Sequence, residues 1–357
     1  MKFHRLVITG GAGFVGSNLA CLFRRQFPEM KLTVIDSLKR RGSELSLPRL
    51  REASVNFVHG DIRCPDDLGD LPDFDLLIDC SAEPAVHAGT KGSPHYVLDT
   101  NLTGTIHCLE AARQRKAAFL FLSTSRVYPI ASMNAIPFDE DKTRFRWTAS
   151  DAAIPGFSER GIAEDYPLNG ARSFYGASKL ACELLIQEYV ESSAMPALIN
   201  RCGVLAGPWQ MGKVDQGVVT LWVARHVFGA PLKYIGFGGE GKQVRDLLHV
   251  EDLFDLIVLQ MSSPERWDGR IYNVGGGPDV SVSLLELTEL CRRETGREVP
   301  VGNIPETSGV DLRIYITDNR KVEADFPWKP KRSATQIVSD IRSWIDENKE
   351  SLRAVLG

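Results

Sequence analysis

The stretch that decides the fold reads Thr9-Gly10-Gly11-Ala12-Gly13-Phe14-Val15-Gly16. It follows the short apolar run Leu6–Thr9, which has the length of a buried strand, and it leads into Gly16–Arg25, which has the length of a helix. Glycines spaced as GxxGxxG allow a tight turn, close approach of the backbone to a pyrophosphate, and close packing of helix on strand. The first turn of such a helix also presents unpaired N–H groups to phosphates. The stretch therefore predicts a dinucleotide-binding unit of strand, turn and helix.

Strand-like runs alternate with helix-length segments over roughly the first 200 residues. Parallel strands need helical crossovers and are buried on both faces, which gives short, continuous apolar runs. The alternation predicts an α/β fold with a doubly wound parallel sheet of the Rossmann type. The strand-like runs are Leu6–Thr9, Leu32–Asp36, Val55–His59, Leu76–Cys80, Phe119–Thr124 and Ala197–Arg201, and the helix-length segments include Gly16–Arg25, Thr105–Arg115 and Tyr175–Ser192.

Beyond about residue 200 the alternation becomes irregular. Stretches rich in glycine and proline appear at Gly203–Pro208, Gly229–Gly241 and Gly275–Pro278. They predict a smaller, mostly C-terminal α/β domain over the carboxyl ends of the strands, where ligands bind in open α/β sheets. We expect residues 1–195 to form the dinucleotide-binding domain, with segments near 240–260 returning to it, and residues 196–357 to bind mainly substrate.

The composition restricts the partners. With 357 residues, of which 43% are hydrophobic, the chain can bury a large core. A formal charge of -4 gives no basic field for nucleic acid, and no apolar run approaches the roughly 20 residues of a membrane span. The seven cysteines are scattered without a CxxC pair, so neither a disulfide framework nor a metal site is predicted. We expect a small-molecule partner and a cytoplasmic location, without nucleic acid, membrane or metal.

Asp36 ends the second predicted strand, about 20 residues after the last glycine of the motif. An acid at this place accepts both ribose hydroxyls of NAD and repels the 2′-phosphate of NADP. The neighbouring Lys39, Arg40 and Arg41 could hold that phosphate, so NADP stays open as an alternative. An acid at the end of the strand acts on the ribose more directly than three flexible bases several residues further on. We therefore expect NAD rather than NADP. Asp61 follows the third predicted strand and is placed to reach the adenine.

Two further patterns carry chemistry. Tyr175 and Lys179 form a YxxxK pair, whose side chains share one face of a helix. A neighbouring ammonium favours the phenolate form of a tyrosine, which makes it a usable acid and base near neutral pH. Thr124 ends the fifth predicted strand, where its hydroxyl would lie beside the nicotinamide. Because glycine motif, strand-end acid, strand-end hydroxyl and YxxxK occur in the order that one active site requires, we predict that Thr124, Tyr175 and Lys179 are catalytic.

With these elements the chain resembles the extended short-chain dehydrogenase/reductase family of sugar-nucleotide enzymes over nearly its whole length. The resemblance extends to the segments around Asn101, Arg201–Pro208, Gly241–Asp246, Tyr272–Gly275 and Trp328–Pro330. It implies that Thr124 shares a hydrogen bond with a substrate hydroxyl, that Tyr175 takes its proton, and that Lys179 holds the nicotinamide ribose. It also implies a nucleoside-diphosphate sugar as substrate, whose diphosphate Arg245 contacts with its forked donors.

By position in the family, the residues expected to contact NAD are Gly10, Gly13, Phe14, Val15, Gly16, Asp36, Asp61, Ile62, Ser81, Ala82, Asn101, Ser123, Tyr175 and Lys179. Those expected to contact substrate are Glu83, Ser125, Arg126, Arg201, Gln216, Gln243, Arg245 and Arg313.

The substrate side departs from the family pattern. Ala206 stands for the usual tyrosine and Pro129 for the usual glycine, and the segment Thr307–Val310 lacks an arginine commonly found there, which leaves Arg313 as the nearest base. The run Asp215-Gln216-Gly217, followed by Gly241–Asp246, resembles the 2-epimerases of CDP-linked sugars more than the UDP-galactose 4-epimerases. The resemblance therefore implies an epimerase that oxidises a sugar carbon and reduces it on its other face.

Other readings stay open. Another nucleotide-sugar epimerase or mutase, such as a 4-epimerase of a UDP- or GDP-sugar, would use the same residues. Dehydratases of the family place Asp-Glu directly after the strand-end threonine, whereas this chain has Ser125 and Arg126 there, which disfavours a 4,6-dehydratase. A non-catalytic NAD-binding regulator would not need Thr124, Tyr175 and Lys179 together.

A homodimer is expected, because the segments Thr105–Arg115 and Tyr175–Ser192 resemble the helix pair that forms an intersubunit four-helix bundle in the family. Their apolar positions are Ile106, Leu109, Leu184, Leu185 and Ile186, which would equally suit an ordinary core.

Overall fold

The computed structural model describes residues 3–148, 154–213 and 216–357. The strands in chain order are β1 Arg5–Thr9, β2 Lys31–Asp36, β3 Asn56–His59, β4 Leu76–Asp79, β5 Ala118–Thr124, β6 Phe138–Glu140, β7 Phe145–Trp147, β8 Phe157–Ser158, β9 Gly161–Ile162, β10 Ala197–Cys202, β11 Val204–Ala206, β12 Leu232–Ile235, β13 Val244–His249, β14 Asp268–Val274, β15 Ser281–Ser283, β16 Val301–Ile304 and β17 Ile314–Tyr315.

The α-helices are α1 Phe14–Gln26, α2 Leu47–Glu52, α3 Pro65–Gly69, α4 His95–Leu98, α5 Gly104–Gln114, α6 Ile130–Asn134, α7 Phe174–Ser193, α8 Val218–Phe228, α9 Val250–Met261, α10 Leu284–Thr295, α11 Arg320–Asp325, α12 Ala334–Glu347 and α13 Lys349–Leu356. A π-helical turn, Asp99–Thr103, joins α4 to α5. Within the described ranges no helix combines the length and the hydropathy needed to cross a membrane.

Seven strands form the main sheet in the order β14-β10-β5-β4-β1-β2-β3, and every neighbouring pair is parallel. The direction of winding reverses between β1 and β4, and ligands bind at such a switch point, outside the carboxyl ends of the strands. The predicted doubly wound sheet is confirmed. The glycine motif lies between β1 and α1, so it is located directly at the switch point between β1 and β4.

Apolar residues of the sheet alternate between two cores because both faces are covered. Leu120 and Leu122 of β5 pack in the core that contains α1 and α9, whereas Phe119 and Phe121 pack in the core that contains α5 and α7. All seven residues of β5 are buried. This explains why the strand reads as an unbroken apolar run in the sequence.

The later part of the chain builds a second set of elements. β11, β13 and β15 form a small sheet to which β17 adds by pairing with β13, and β12 pairs with β16. A separate hydrophobic core joins α8, α10 and α12. The predicted division into 1–195 and 196–357 stays a prediction, and the main sheet takes two of its strands, β10 and β14, from beyond residue 195.

Candidate active site

The glycine motif forms a cradle too tight for side chains. Gly10 has a φ of 61°, and a Cβ atom there would lie 2.9 Å from the carbonyl oxygen of Cys80. A Cβ atom at Gly16 would lie 2.3 Å from the carbonyl oxygen of Gly10. Gly13 is the N-cap of α1 and provides no side-chain hydrogen bond to it. The first N–H groups of α1 are therefore left for a ligand, and an anion is favoured there by the helix dipole.

Asp36 lies at the end of β2, directly behind this cradle. One carboxylate oxygen accepts from the N–H of Ala12 at 3.0 Å, and the other accepts from the N–H of Leu38 at 2.8 Å. Burial raises the pKa of Asp36 above its usual value, although these two N–H groups act in the opposite direction. The carboxylate thus holds the glycine loop in place, and its remaining lone pairs suit ribose hydroxyls.

The three bases after Asp36 diverge. Arg41 donates to the carbonyl of Ala354 at 2.6 Å, and Lys39 lies 5.3 Å from the centre of the Tyr96 ring. Arg40 lines the main cavity and donates to the carbonyl of Met211 at 2.8 Å. They therefore do not converge on one point beside Asp36.

Thr124 and Arg126 form a compact turn at the end of β5. The hydroxyl oxygen of Thr124 accepts from the backbone N–H of Arg126 at 3.2 Å and so caps the short helical turn Ser125–Val127. Because that oxygen is held as an acceptor, its hydrogen points elsewhere and can be donated to a ligand.

Tyr175 and Lys179 lie in the first turns of α7, which Ser173 caps through a 3.1 Å hydrogen bond from the N–H of Gly176. Lys179 is 1% exposed. Its ammonium donates to the carbonyl of Leu122 at 3.0 Å and lies 4.2 Å from the centre of the Phe121 ring. An ammonium has three donors, so further N–H groups stay available for a ribose.

Gly176 sets the distance between α7 and the turn after β5. A Cβ atom at Gly176 would lie 2.1 Å from the backbone carbonyl oxygen of Arg126. Only glycine therefore allows this approach, which brings Tyr175 and Thr124 to the wall of the same cavity. Sequence reasoning missed Gly176, although it stands inside the YxxxK pattern.

We expect Gly176→Ala to lower kcat by roughly 10- to 100-fold while NAD stays bound, because displacing a reacting group by about 1 Å has effects of this size. Turnover and NAD content of the purified variant would be measured together. Gly92→Ala is the matched control, since a Cβ atom there meets nothing within 4 Å. Undiminished turnover in Gly176→Ala would contradict the positioning role.

One cavity of about 880 Å³ joins the glycine loop to the turn after β5, to α7 and to the C-terminal elements. Its wall brings together many of the predicted site residues. These are Gly10, Gly13, Phe14, Val15, Ala82, Ser123, Thr124, Ser125, Arg126, Tyr175, Lys179, Gln216, Gln243 and Arg245. Asp215, which supported the assignment of Gln216, lies outside the described residues.

Several predicted contacts lie behind the wall. Asp61 forms an ion pair with Arg63 at 2.6 Å, and this hydrogen bond holds the pKa of Asp61 below its usual value. Ile62 packs closely on Gly104. Ser81 donates its N–H to Asp79 at 3.1 Å. Like Gly16 and Asp36, these residues are next to the cavity wall but not part of it.

Asn101 and Glu83 form a connection between the β4 loop and α7. In the π-helical turn, the buried side chain of Asn101 accepts from the N–H of Glu83 at 2.7 Å and donates to its carbonyl at 3.1 Å. It also donates to the hydroxyl of Ser178 on α7 at 3.2 Å. Asn101 therefore supports the site without lining the cavity, and the carboxylate of Glu83 accepts from the N–H of Ala85.

Arg201 does not lie at the cavity, which corrects its predicted contact with substrate. Its guanidinium forms an ion pair with Glu183 at 2.7 Å, with side chains 3% and 1% exposed, and donates to the hydroxyl of Tyr128 at 3.1 Å. Burial acts to lower the pKa of Arg201, but Glu183 and Tyr128 raise it above its usual value. Ser123 also donates to Glu183. The arginine is therefore occupied inside the protein.

Arg313 does not line the cavity either. Its guanidinium lies 3.9 Å from the centre of the Phe138 ring and 5.3 Å from that of Phe237, and it donates to the carbonyl of Asn134 at 3.0 Å. This cluster lies beside the cavity rather than on its wall.

The structure adds cavity residues that sequence reasoning missed. They include four residues with ring side chains and one acid: His87, Trp209, Trp222, Phe237 and Asp311. Trp209 follows the quoted Gly207-Pro208 pair and has a φ of 70°, which is uncommon for a bulky residue. Trp222 lies among apolar residues of α8, a pattern typical of an ordinary core helix. The sequence therefore did not indicate that Trp222 lines the cavity.

Comparison with known proteins agrees with this geometry. Residues 6–275 match the model of the NAD dependent epimerase/dehydratase family. The chain belongs to this family. It is an NAD-dependent epimerase/dehydratase, and NAD is its cofactor. The close glycine cradle and the uncapped start of α1 fit that cofactor.

Among curated relatives, the chain is 30% identical to CDP-paratose 2-epimerase of Salmonella typhi, over 95% of this chain and 98% of the relative. It is 28% identical to dTDP-glucose 4,6-dehydratase of an Actinoplanes strain, over 97% of this chain and 98% of the relative. Its fold matches UDP-glucuronic acid 4-epimerase from Bacillus cereus, solved with UDP-glucuronic acid and NAD, with a TM-score of 0.78 at 21% identity, covering 96% and 99% of the two chains. The family thus contains epimerases and dehydratases of similar distance from this chain.

Proposed function

We propose that this enzyme epimerises a nucleoside-diphosphate sugar, by transient oxidation of one sugar carbon to a ketone and reduction on its other face. The observation that carries the proposal is the composition of the cavity wall beside Tyr175. Thr124, Tyr175 and Lys179 line it together with the glycine loop, and the residues after Thr124 are Ser125 and Arg126. An acid and base pair for eliminating water, which the dehydratases carry as Asp-Glu at those positions, is replaced by a hydroxyl and a cation.

The protein residues divide the proton chemistry among them. Thr124 donates its hydroxyl hydrogen to the substrate oxygen, because its own oxygen is held by the N–H of Arg126. Tyr175 then removes the substrate proton, and Lys179 lies one turn further along the same face of α7. Bound NAD would supply the hydride acceptor for the oxidation and the hydride donor for the reduction. Lys179 is anchored by the carbonyl of Leu122, so its remaining donors orient the nicotinamide ribose.

The substrate that we propose is a CDP-linked sugar oxidised at carbon 2. Support comes from the 30% identity with CDP-paratose 2-epimerase over nearly both whole chains. The dTDP-glucose 4,6-dehydratase relative is 28% identical, but Ser125 and Arg126 stand where dehydratases of the family carry Asp-Glu, and this favours the epimerase. A 4-epimerase of another nucleotide sugar would use the same three catalytic residues.

The reaction is expected to be neutral in redox terms. With substrate in large excess over enzyme, product should form without added NAD and without NADH in amounts equal to product, because the hydride returns to the sugar. Deuterium placed on the oxidised carbon should be retained in the product molecule. Mass spectrometry and NMR of CDP-, UDP-, dTDP- and GDP-sugars would measure this.

Two results would contradict the proposal. Steady accumulation of NADH indicates a dehydrogenase, and a product lighter by one water indicates a dehydratase. The stereochemistry of the product then identifies the carbon that reacted.

We further propose that the enzyme is a cytoplasmic homodimer formed through α5 and α7. Leu109 and Ile186 are fully buried in the core of one chain, whereas Leu184 on α7 is 58% exposed. Phe174, at the start of the same helix, is 40% exposed. Large exposed apolar side chains on one helix favour an interface there.

Leu184→Arg is therefore expected to convert the dimer to a monomer at micromolar concentration, because it would place two charges in the interface. Light scattering would measure the mass. Thr335→Arg, an exposed position on α12, is the control and should stay dimeric. A wild-type protein that is monomeric would refute the dimer.

A further inference from the structure

Two arginines hold the same short piece of backbone in the cavity. Arg126 donates to the carbonyl of Val310 at 3.2 Å, and Arg245 donates to the carbonyl of Leu312 at 2.6 Å. Asp311 lies between these two carbonyls and lines the cavity with both arginines. The segment Val310–Leu312 is thus bracketed by guanidinium groups that come from β13 and from the turn after β5.

The two guanidinium groups have no ion-pair partner among the described residues. In the part of the chain that the structure describes, the side-chain hydrogen bonds of Arg126 and Arg245 go only to backbone carbonyls. The carboxylate of Asp311 acts on both cations and that of Asp246 acts on Arg245, but within the described residues neither forms an ion pair with these guanidinium groups. A partly buried charge without a partner is costly, so the arrangement favours an anionic ligand between the two guanidinium groups.

The electrostatics agree with this geometry. Burial, and then the charge of Arg126, lower the pKa of Arg245 to about 9. Burial also lowers the pKa of Arg126, while Asp311 and Tyr175 oppose that change. Each arginine is thus less stable as a cation than it would be in water, and a bound anion would relieve both.

The position relative to Tyr175 narrows the choice of anion. Arg126 follows Thr124 by two residues, its backbone carbonyl lies against Gly176 next to Tyr175, and its side chain lines the same cavity as Tyr175. In a nucleotide sugar the diphosphate is attached to carbon 1, next to carbon 2. A guanidinium beside Tyr175 is therefore within reach of the diphosphate when carbon 2 faces the tyrosine. Arg225 and Lys233 also line the cavity, but among the described residues neither donates a hydrogen bond to the segment Val310–Leu312.

We propose that Arg126 supplies a second cation to the diphosphate site that the family resemblance assigns to Arg245, so that the two arginines form a clamp around the diphosphate. This rests on the proposed nucleotide-sugar substrate. It assigns Arg126 the part that sequence reasoning left to Arg313, whose guanidinium is enclosed by aromatic rings instead.

The test measures equilibrium binding to enzyme saturated with NAD, using CDP, UDP and inorganic pyrophosphate as probes and the nucleosides cytidine and uridine for comparison. Arg126→Gln is expected to weaken binding of the diphosphates by roughly 10- to 100-fold, as does loss of a charge-assisted hydrogen bond. Nucleoside binding should not change. Arg126→Lys should recover part of the affinity, since it keeps the charge but loses the fork. Arg313→Gln is the matched control and should bind as the wild type does.

Three results would overturn the clamp. The first is wild-type enzyme that binds none of the diphosphate probes. The second is an equal loss of affinity in Arg126→Gln and Arg313→Gln. The third is unchanged diphosphate binding in Arg126→Gln with a fall in kcat and a shifted pH profile, which would place Arg126 at Tyr175 instead. Because binding is measured without turnover, these results are independent of whether the reaction is an epimerisation. Thermal unfolding of each variant shows whether it is folded.

Discussion

Tyr175→Phe is expected to lower kcat by roughly 100- to 10,000-fold, the range found for loss of a general acid and base. The aromatic ring would still pack at the cavity wall, so NAD should remain bound to the purified variant. The effect should fall on kcat more than on KM, because the phenol oxygen acts in the transition state rather than in anchoring the nucleotide. Single-turnover measurements of the enzyme-bound nicotinamide absorbance would follow the oxidation step directly.

Tyr189→Phe is the matched control for this variant. Tyr189 lies on the same helix, but its hydroxyl donates to Glu110 and it does not line the cavity. Its loss should leave kcat unchanged. Turnover in Tyr175→Phe close to that of the control would end the proposed mechanism.

Arg201→Met is expected to lower the free energy of unfolding by about 3–5 kcal/mol, the range for breaking a buried ion pair at one partner. The substitution would leave the carboxylate of Glu183, which is 1% exposed, without its cation. Because Glu183 also accepts from Ser123 at the cavity wall, NAD binding should weaken as well. Urea unfolding followed by circular dichroism would measure the loss of stability.

The double variant Glu183→Leu/Arg201→Met separates the charge from the packing. Removing both partners leaves no orphaned charge, so the double variant should be more stable than Arg201→Met alone. If the loss of stability in the double variant equals the sum of the losses in Glu183→Leu and Arg201→Met, the unpaired charge is not the source of the instability of Arg201→Met. A variant Arg201→Met that unfolds as the wild type does would show that the pair contributes nothing.

The parts of the fold and site that the sequence predicted are those set by short-range geometry. The turn between Thr9 and Gly16 needs glycines because Gly10 and Gly16 approach backbone at distances that exclude a Cβ atom. The pair Tyr175 and Lys179 shares a helix face because of its spacing. β5 reads as a strand because both of its faces are buried. Each of these requirements is written within a few neighbouring residues.

The observed positions of Arg201 and Arg313 depend on partners distant in the chain. Arg201 ends β10, and β10 lies next to β5 in the sheet, which brings the arginine to Glu183 on α7. Arg313 lies against Phe138 and Phe145 of the β6–β7 hairpin and against Phe237, which follows β12. Neither set of contacts can be predicted from the spacing of residues along the chain. For the same reason the bracketing of Asp311 by Arg126 and Arg245 became visible only in three dimensions.

The π-helical turn Asp99–Thr103 makes the site sensitive to the length of one helix rather than to its composition. Such a turn holds one residue more than a regular helical turn would need. Deleting a residue from it would restore the regular helix and rotate everything on one side by about 100° relative to the other. The amide of Asn101 would then face away from Glu83 and Ser178, which it now connects. A substitution at the surface of this region leaves the hydrogen bonds of Asn101 intact, whereas the deletion of one codon breaks them. Insertions and deletions, more than point changes, should therefore mark where diverging copies of this gene lose activity.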